Sequence, residues 1–298
     1  MDRDLLTHFP IVLTVARLRG FAAAAAALNM SPSAVSHAVK TVEDRLGQPL
    51  FARTTRSVAL TEAGASFVAS VGPALAMLED NVDRIRAANG QVAGLLRINA
   101  PRVALPLAIT PAIIAARRLH PALTIEVVSD ESLVDIVAAG FDAGVRLGEM
   151  IAQDMVTVRL TKPFRAIMVA APAYLEAHPA PRSIADLAAH NCIGYRLLSS
   201  GADYAWDLRD KGRDVSIKVS GGVRVTDPIY ARDLALAGVG VAYLFEPLVR
   251  DDLQRGRLNQ VLAASSIEEP GLFLYFPRNA SQAPKLRAFI DIVRGTSR

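Results

Sequence analysis

The chain has 298 residues, of which 51% are hydrophobic and 21% charged, with a formal net charge of +4. That length predicts two or three domains, and the apolar content excludes a disordered chain. One cysteine, Cys192, excludes a disulfide framework or a zinc cluster and predicts a reducing compartment, while the mild basicity fits contact with nucleic acid without establishing it.

The opening MDRDLLTHFP mixes charges and has no long apolar run, so it does not read as a signal peptide. Residues 22–28 are apolar but too few to span a bilayer. The expectation is a soluble, cytoplasmic protein with no membrane partner. Leu5, Leu6, Phe9, Val12, Leu13 and Ala16 form a helical apolar face, with Pro10 bending its first turn or marking its true start. Gly20 breaks the chain. Residues 21–28 are nearly pure alanine, the strongest helix former, and small enough for two helices to approach closely. Asn29 and Met30 make the turn into the next helix.

That next helix organises the N-terminal third. Ser31 predicts an N-cap, Pro32 suits the first helical position, and Gly47 suits the left-handed residue after the end. Val35, Val39, Val42 and Leu46 recur at three- and four-residue steps as a buried face. Ser33, Ser36, His37 and Lys40 form a second, polar stripe that could enter a DNA groove. Lys40 can reach a phosphate or a guanine edge, and His37 can donate or accept at a base edge. The rival reading is a solvated helix face. Beyond Gly47, an alternation around Arg53, Thr54, Thr55 and Arg56 predicts two short strands and a basic turn, a wing. Its arginines would lie along phosphates or enter the minor groove. Over residues 1–66 the basic side chains exceed the acidic ones by two.

A long helix is expected from Thr61–Glu62 to about Ala88, kinked near residues 69–73 by Pro73. Val68, Val71, Leu75, Leu78, Val82 and Ile85 make a heptad seam fit for a paired helix, with packing on its own domain as the rival.

The run GFAAAAAALNMSPSAVSHAVKTVEDRLGQPLFARTTRSVALTEAG strongly resembles the N-terminal domain of LysR-type transcriptional regulators. Helix, turn, recognition helix, wing and linker helix follow in order. The resemblance implies that Ser31, Pro32, Ser33, Ser36, His37 and Lys40 lie at the operator, with Arg53, Thr55 and Arg56 in the wing. Alanine replaces the hydroxyl residue the family usually has just after Phe21. His37 falls at a variable position of the family pattern and is the candidate base reader.

Asn89, Gly90 and Gln91 predict a hinge. Strand and helix patterns then alternate: strands at 95–99, 123–128 and 141–147, with helices at 103–119 and 133–139. A second unit begins at 165–170 and holds strands at 192–195, 215–219, 223–225 and 241–244, with a helix at 228–237. Residues 272–276 and the helix 285–293 return to the first unit. The domains expected are a winged helix-turn-helix at 1–60, a linker and dimerisation helix at 61–89, and an effector-binding domain at 90–298. Its lobes take 90–161 with 270–298, and 162–269, crossing near 161–164 and 267–271. The fold class expected is α/β, the two lobes forming a cleft at the carboxyl ends of their strands. This resembles the family's effector-binding domain, which looks like a periplasmic solute-binding fold.

Cleft residues should follow the strands: Pro101, Arg102, Val103, Ser129, Arg146, Tyr195, Thr226 and Asp227. Arg102, where the family usually has a hydroxyl residue, implies an acidic effector or an internal salt bridge. Arg146 is a second anion contact or a partner of Glu149 or Asp130. Asp227, before Pro228, reads as a helix cap first, and Trp206 as core.

His190 and Cys192 would face the same way on a strand and suggest a nucleophile pair, but no residue orients the histidine and a buried thiol is the simpler reading. No phosphate loop, HExxH or G-x-S-x-G occurs. The expectation is a ligand-responsive DNA-binding regulator without enzymatic activity or cofactor. A dimer would set two recognition helices on an interrupted palindrome. The resemblance implies a homotetramer, with RNA polymerase as a candidate further partner. The alternative is a solute-binding or enzymatic α/β protein with a vestigial helix-turn-helix.

Overall fold

The computed structural model describes residues 3–53, 58–87 and 91–296. The chain forms two compact units, one over Met1–Gln91 with Asp135–Phe141 and one over Val92–Val134 with Asp142–Arg298.

In the first unit, α1 (Arg3–Leu18) continues unbroken through Pro10. Proline removes one backbone donor there, and the Thr14 hydroxyl adds a bond of 2.8 Å to the Pro10 carbonyl. After α2 (Phe21–Ala27), Asn29 adopts φ +53 and the Met30 N–H returns to the Ala25 carbonyl at 2.9 Å, closing a tight turn. The recognition helix, α3 (Pro32–Leu46), begins where the Ser31 hydroxyl accepts from the Ala34 N–H at 3.1 Å and ends at Gly47 with φ +69. Val35, Val39 and Val42 are fully buried against Val12, Val15, Ala24 and Ala25. Each such side chain contributes about 2 kcal/mol. Leu46, expected on this face, is instead 46% exposed. It is the last helical residue, and the core at that end is filled by Leu50 and Phe51.

Strands β1 (Phe51–Arg53) and β2 (Val58–Leu60) pair antiparallel, Arg53 opposite Val58, as the flanks of a wing. Helix α4 (Glu62–Ala87) continues unbroken across Pro73. Its Phe67 meets Phe9 of α1 edge-on at 5.1 Å, so its first turns belong to this core.

The second unit holds two sheets. The first lobe contains β3 (Gly94–Ala100), β4 (Leu123–Ser129), β5 (Ala143–Leu147) and β6 (Met155–Arg159). The second contains β7 (Phe164–Ala170), β8 (Cys192–Tyr195), β11 (Arg224–Val225), β12 (Val241–Phe245), β13 (Asn259–Val261) and β14 (Ile267–Glu269). Between β8 and β11 a separate hairpin forms from β9 (Trp206–Asp210) and β10 (Arg213–Ile217). The chain then returns to the first lobe as β15 (Leu272–Pro277), giving the strand order β4-β3-β5-β15-β6. Strands β3, β4 and β5 are parallel, whereas β15 runs antiparallel to both β5 and β6. Helices α5 (Thr110–Leu119), α6 (Pro172–Ala177), α7 (Pro228–Leu236), α8 (Glu246–Gln254) and α9 (Pro284–Thr296) complete the unit.

Three local expectations change. The helix expected at 133–139 is a single turn, its Asp135 carboxylate accepting from the Val137 and Ala138 N–H groups at 3.0 and 3.1 Å and Gly140 ending it at φ +70. The helix expected from 103 opens instead as a π-turn, Leu105–Ile109. Pro111 cannot donate to the Leu107 carbonyl, so the regular ladder starts late. Ile267–Glu269 belongs to the second lobe, paired with β7, so the return crossing is confined to Pro270 and Gly271.

Candidate functional site

Two places in the molecule collect the expected functional side chains. The first is the outer face of α3. Ser31, Pro32, Ser33, His37 and Lys40 are exposed and Ser36 is partly so, opposite the buried valines. The Ser31 and Ser33 hydroxyls lie 2.9 Å apart. A short hydroxyl face with one lysine on a rigid, capped helix can approach a duplex closely, with Lys40 at its centre to neutralise a phosphate. Thr55 and Arg56 lie outside the described residues, as does the side chain of Arg53.

One residue of this unit had no sequence signal. The Glu43 carboxylate accepts from the Leu50 and Phe51 N–H groups at 2.8 and 3.2 Å, tying the end of α3 to the wing strand.

Along α4 the expected seam divides. Val68, Val71 and Leu75 are partly buried, and Val71 packs on the core of its own unit. Leu78 is 63% exposed, Val82 48% and Ile85 72%.

The second place is the cleft between the lobes of the second unit. Arg102 follows β3 and Asp227 caps α7, and the Arg102 Nε lies 3.0 Å from the Asp227 Oδ2. The other oxygen of Asp227 accepts from the Ile229 N–H at 2.9 Å, so one carboxylate both caps a helix and pairs across the lobes. Of the two readings of Arg102, the internal salt bridge is the one present. A second bridge involves a residue the sequence did not single out. Glu131, just past β4, accepts from the Arg102 N–H at 2.7 Å and from the Tyr195 hydroxyl of the second lobe at 3.2 Å. Burial holds the Glu131 carboxyl above the usual range, against the opposing pull of those two bonds and of nearby Arg146. Burial, with the Glu131 charge, also pushes the Tyr195 phenol up, keeping it a donor.

Arg146 is not an open contact. It is 3% exposed, and its guanidinium donates to Asn99 Oδ1 at 2.8 Å, to the Ser132 carbonyl at 2.5 Å and to the Val145 carbonyl at 2.6 Å. The group is spent holding the bend at 130–132. The Glu149 side chain lies outside the described residues. Asn99 Nδ2 and Arg146 Nε are buried donors without a hydrogen-bond partner among the described residues. Pro101 and Val103 are buried, Ser129 is exposed and Thr226 is half-buried.

The histidine–cysteine pair does not assemble. His190 Nδ1 is 3.2 Å from the Tyr174 hydroxyl, while the Cys192 Sγ points to the Leu187 carbonyl at 3.6 Å. Burial pushes the thiol up to about 11, which disfavours a nucleophilic thiolate. Trp206 is buried and stacks on Tyr243 at 5.5 Å, a core residue. Among the described residues no cluster of metal-ligating side chains occurs, and no helix is long and apolar enough to cross a membrane.

Known proteins match both parts of the chain. Residues 6–65 match the family model described as "Bacterial regulatory helix-turn-helix protein, lysR family", and residues 89–298 match "LysR substrate binding domain". The chain is 36% identical over 289 residues to the HTH-type transcriptional regulator YcaN of Escherichia coli, covering 97% of this chain and 94% of that protein. It is 32% identical over 291 residues to the regulator PgrR of the same species, covering 98% and 97%. The solved structure of CrgA, a LysR-type transcriptional regulator from Neisseria meningitidis, superposes with a TM-score of 0.63 at 25% identity, covering 98% of this chain and 99% of that one.

Proposed function

The chain belongs to the LysR family, a ligand-responsive DNA-binding transcriptional regulator, and on that premise we propose how its own residues carry the function. The observation that carries the reading is the capped α3, burying Val35, Val39 and Val42 while exposing Ser33, His37 and Lys40. Lys40 takes a phosphate and His37 a base edge, the serines letting the helix seat deeply. Arg53, Thr55 and Arg56 of the wing supply flanking backbone contacts. The protein acts in the cytoplasm, without catalysis and without a cofactor beyond its effector. RNA polymerase is a further partner of the bound complex.

The test is a gel-shift series over salt and operator variants. Lys40→Ala weakens binding to every sequence alike, with a salt slope shallower by about 1. Relaxed preference at a single base pair would instead move Lys40 to a base edge. Unchanged affinity and slope would take it off the DNA.

The exposed half of the α4 seam supports a homodimer that places two recognition helices on an interrupted palindrome, and two such dimers make a homotetramer. Leu78→Asp with Ile85→Asp puts two charges into that seam. Sedimentation velocity should show loss of the dimer, and operator affinity should fall by about 10²-fold, because linked half-sites no longer bind as one. A double variant that stays dimeric would place the interface elsewhere. The effector, a small and anionic metabolite, binds in the cleft near Arg102, Tyr195, Thr226 and Asp227. It acts by favouring one arrangement of the lobes over another.

A further inference from the structure

Two of the chain's own carboxylates bridge the lobes. Glu131 of the first lobe reaches the Tyr195 hydroxyl of the second at 3.2 Å, and Asp227 of the second reaches Arg102 of the first at 3.0 Å. The Glu131 carboxylate takes the Arg102 N–H at 2.7 Å, a free donor position at the end of β3 that any acidic ligand entering the cleft would also seek.

This placement is built rather than incidental. The bend at 130–132 is fastened from two directions. The Asp130 carboxylate accepts from the Ser132 N–H at 2.8 Å and from its hydroxyl at 2.7 Å. Buried Arg146 donates to the carbonyls of Asp130 and Ser132, the residues on either side of Glu131. A side chain projecting from so fixed a backbone loses little freedom when it docks, and nearby Arg146 offsets part of the cost of taking its charge out of water. The groups facing Glu131 are thus Arg102 and Arg146 of its own lobe and Tyr195 and Asp227 of the other.

We propose that Glu131 is a built-in stand-in for the carboxylate of the effector, holding the two lobes together through Arg102 and Tyr195, and that the effector is a small carboxylate that displaces it. This rests on the cleft being the effector site. A competing carboxylate gains nothing from those two donors alone, since Glu131 already fills them at high effective concentration. To displace Glu131 it must gain a further contact that the Glu131 side chain does not make.

Propionate matches the whole Glu131 side chain, carboxylate included, so it is the probe. With full-length protein at constant ionic strength, the melting temperature of Glu131→Ala should fall. It should then climb again with the logarithm of propionate concentration and not with propionamide or chloride. Wild type, in which Glu131 keeps both hydrogen bonds, should not respond to propionate. A stable Glu131→Ala that ignores propionate, or a wild type that responds equally, would overturn the proposal. Should Glu131→Ala fail to fold, Tyr195→Phe serves: it removes one of the two donors, loosens Glu131 and should make the otherwise wild-type chain propionate-sensitive, and insensitivity there counts against the proposal. The footprint on operator DNA separates the two readings. If propionate restores the melting temperature of Glu131→Ala but leaves its footprint untouched, the docked carboxylate stands and the cleft is not the switch.

Discussion

Gly64→Ala should unfold or grossly weaken the DNA-binding unit while leaving the effector-binding unit intact. Gly64 sits in the first turn of α4, pressed against the backbone of the wing. A methyl group there would lie 2.0 Å from the Leu50 carbonyl oxygen and 3.0 Å from Leu60 Cδ2. The obstructing atom cannot swing aside. The Leu50 carbonyl already accepts from the Thr61 N–H at 3.0 Å, and its side chain is buried in the core. The Thr61 hydroxyl meanwhile donates to the Pro49 carbonyl at 2.7 Å and accepts from the Gly64 N–H at 3.0 Å. Relief requires α4 to move away from the wing as a body, which breaks these bonds and pulls Phe67 off Phe9. Overpacking of this kind costs about 3 kcal/mol, a large share of what a small domain has. Thermal scans should show the loss of one of two transitions, and operator binding should vanish at temperatures where the effector-binding unit still melts normally. A variant that binds operator as wild type does would mean the turn relaxes more cheaply than its contacts imply.

This close approach explains which parts of the molecule the sequence could reveal. The ends and faces of α3 are written in nearby residues: Ser31, Pro32 and Gly47 mark its limits, and the valine spacing its buried side. Each signal acts within a turn or two of helix. The single turn at 135–140 shows the limit of that logic. Leu133, Val134, Ile136 and Val137 imitate a helical pattern, yet the Asp135 carboxylate takes the next N–H groups and Gly140 turns the chain left-handed. Sheet order was out of reach for a different reason. β15 inserts between β5 and β6, and nothing local to Leu272–Pro277 says so. The cleft combines both cases. Asp227 could be read as a cap from the following proline, and it is one, but its second oxygen belongs to Arg102. Glu131 gave no signal because its meaning comes from Tyr195 in the other lobe.

The second large effect is expected in the second lobe, at a carboxylate that no motif marks. Asp252 of α8 is completely buried and holds two arginines: Arg232 of α7 through Nε at 2.6 Å, and Arg257 through Nε at 2.9 Å and Nη2 at 2.5 Å. Its backbone carbonyl also accepts from the Arg257 N–H at 2.8 Å, which turns the chain toward β13. Burial by itself would raise this carboxyl, but the hydrogen bonds and charges of Arg232 and Arg257 outweigh it and hold the group below the usual carboxylate range. Asp252→Ala leaves both guanidiniums without their common partner and opens a cavity between α7 and α8. Breaking a buried pair costs 3–5 kcal/mol where both charges are enclosed; because both arginines are partly exposed here, about 3 kcal/mol is expected. Urea unfolding at neutral pH should show a correspondingly lower midpoint with little change in slope. The pH dependence supplies the sign. A depressed folded-state value means Asp252 stabilises fully above the unfolded carboxylate value of about 3.9, and that stabilisation drains away as pH falls through the lower folded value. Wild type should therefore lose stability on that acid limb, and Asp252→Asn, which keeps the shape but cannot ionise, should lose less. The gap between the two proteins should narrow as the pH is lowered. A gap that stays constant down to the acid transition would show that packing around Asp252, and not its charge, joins the two helices.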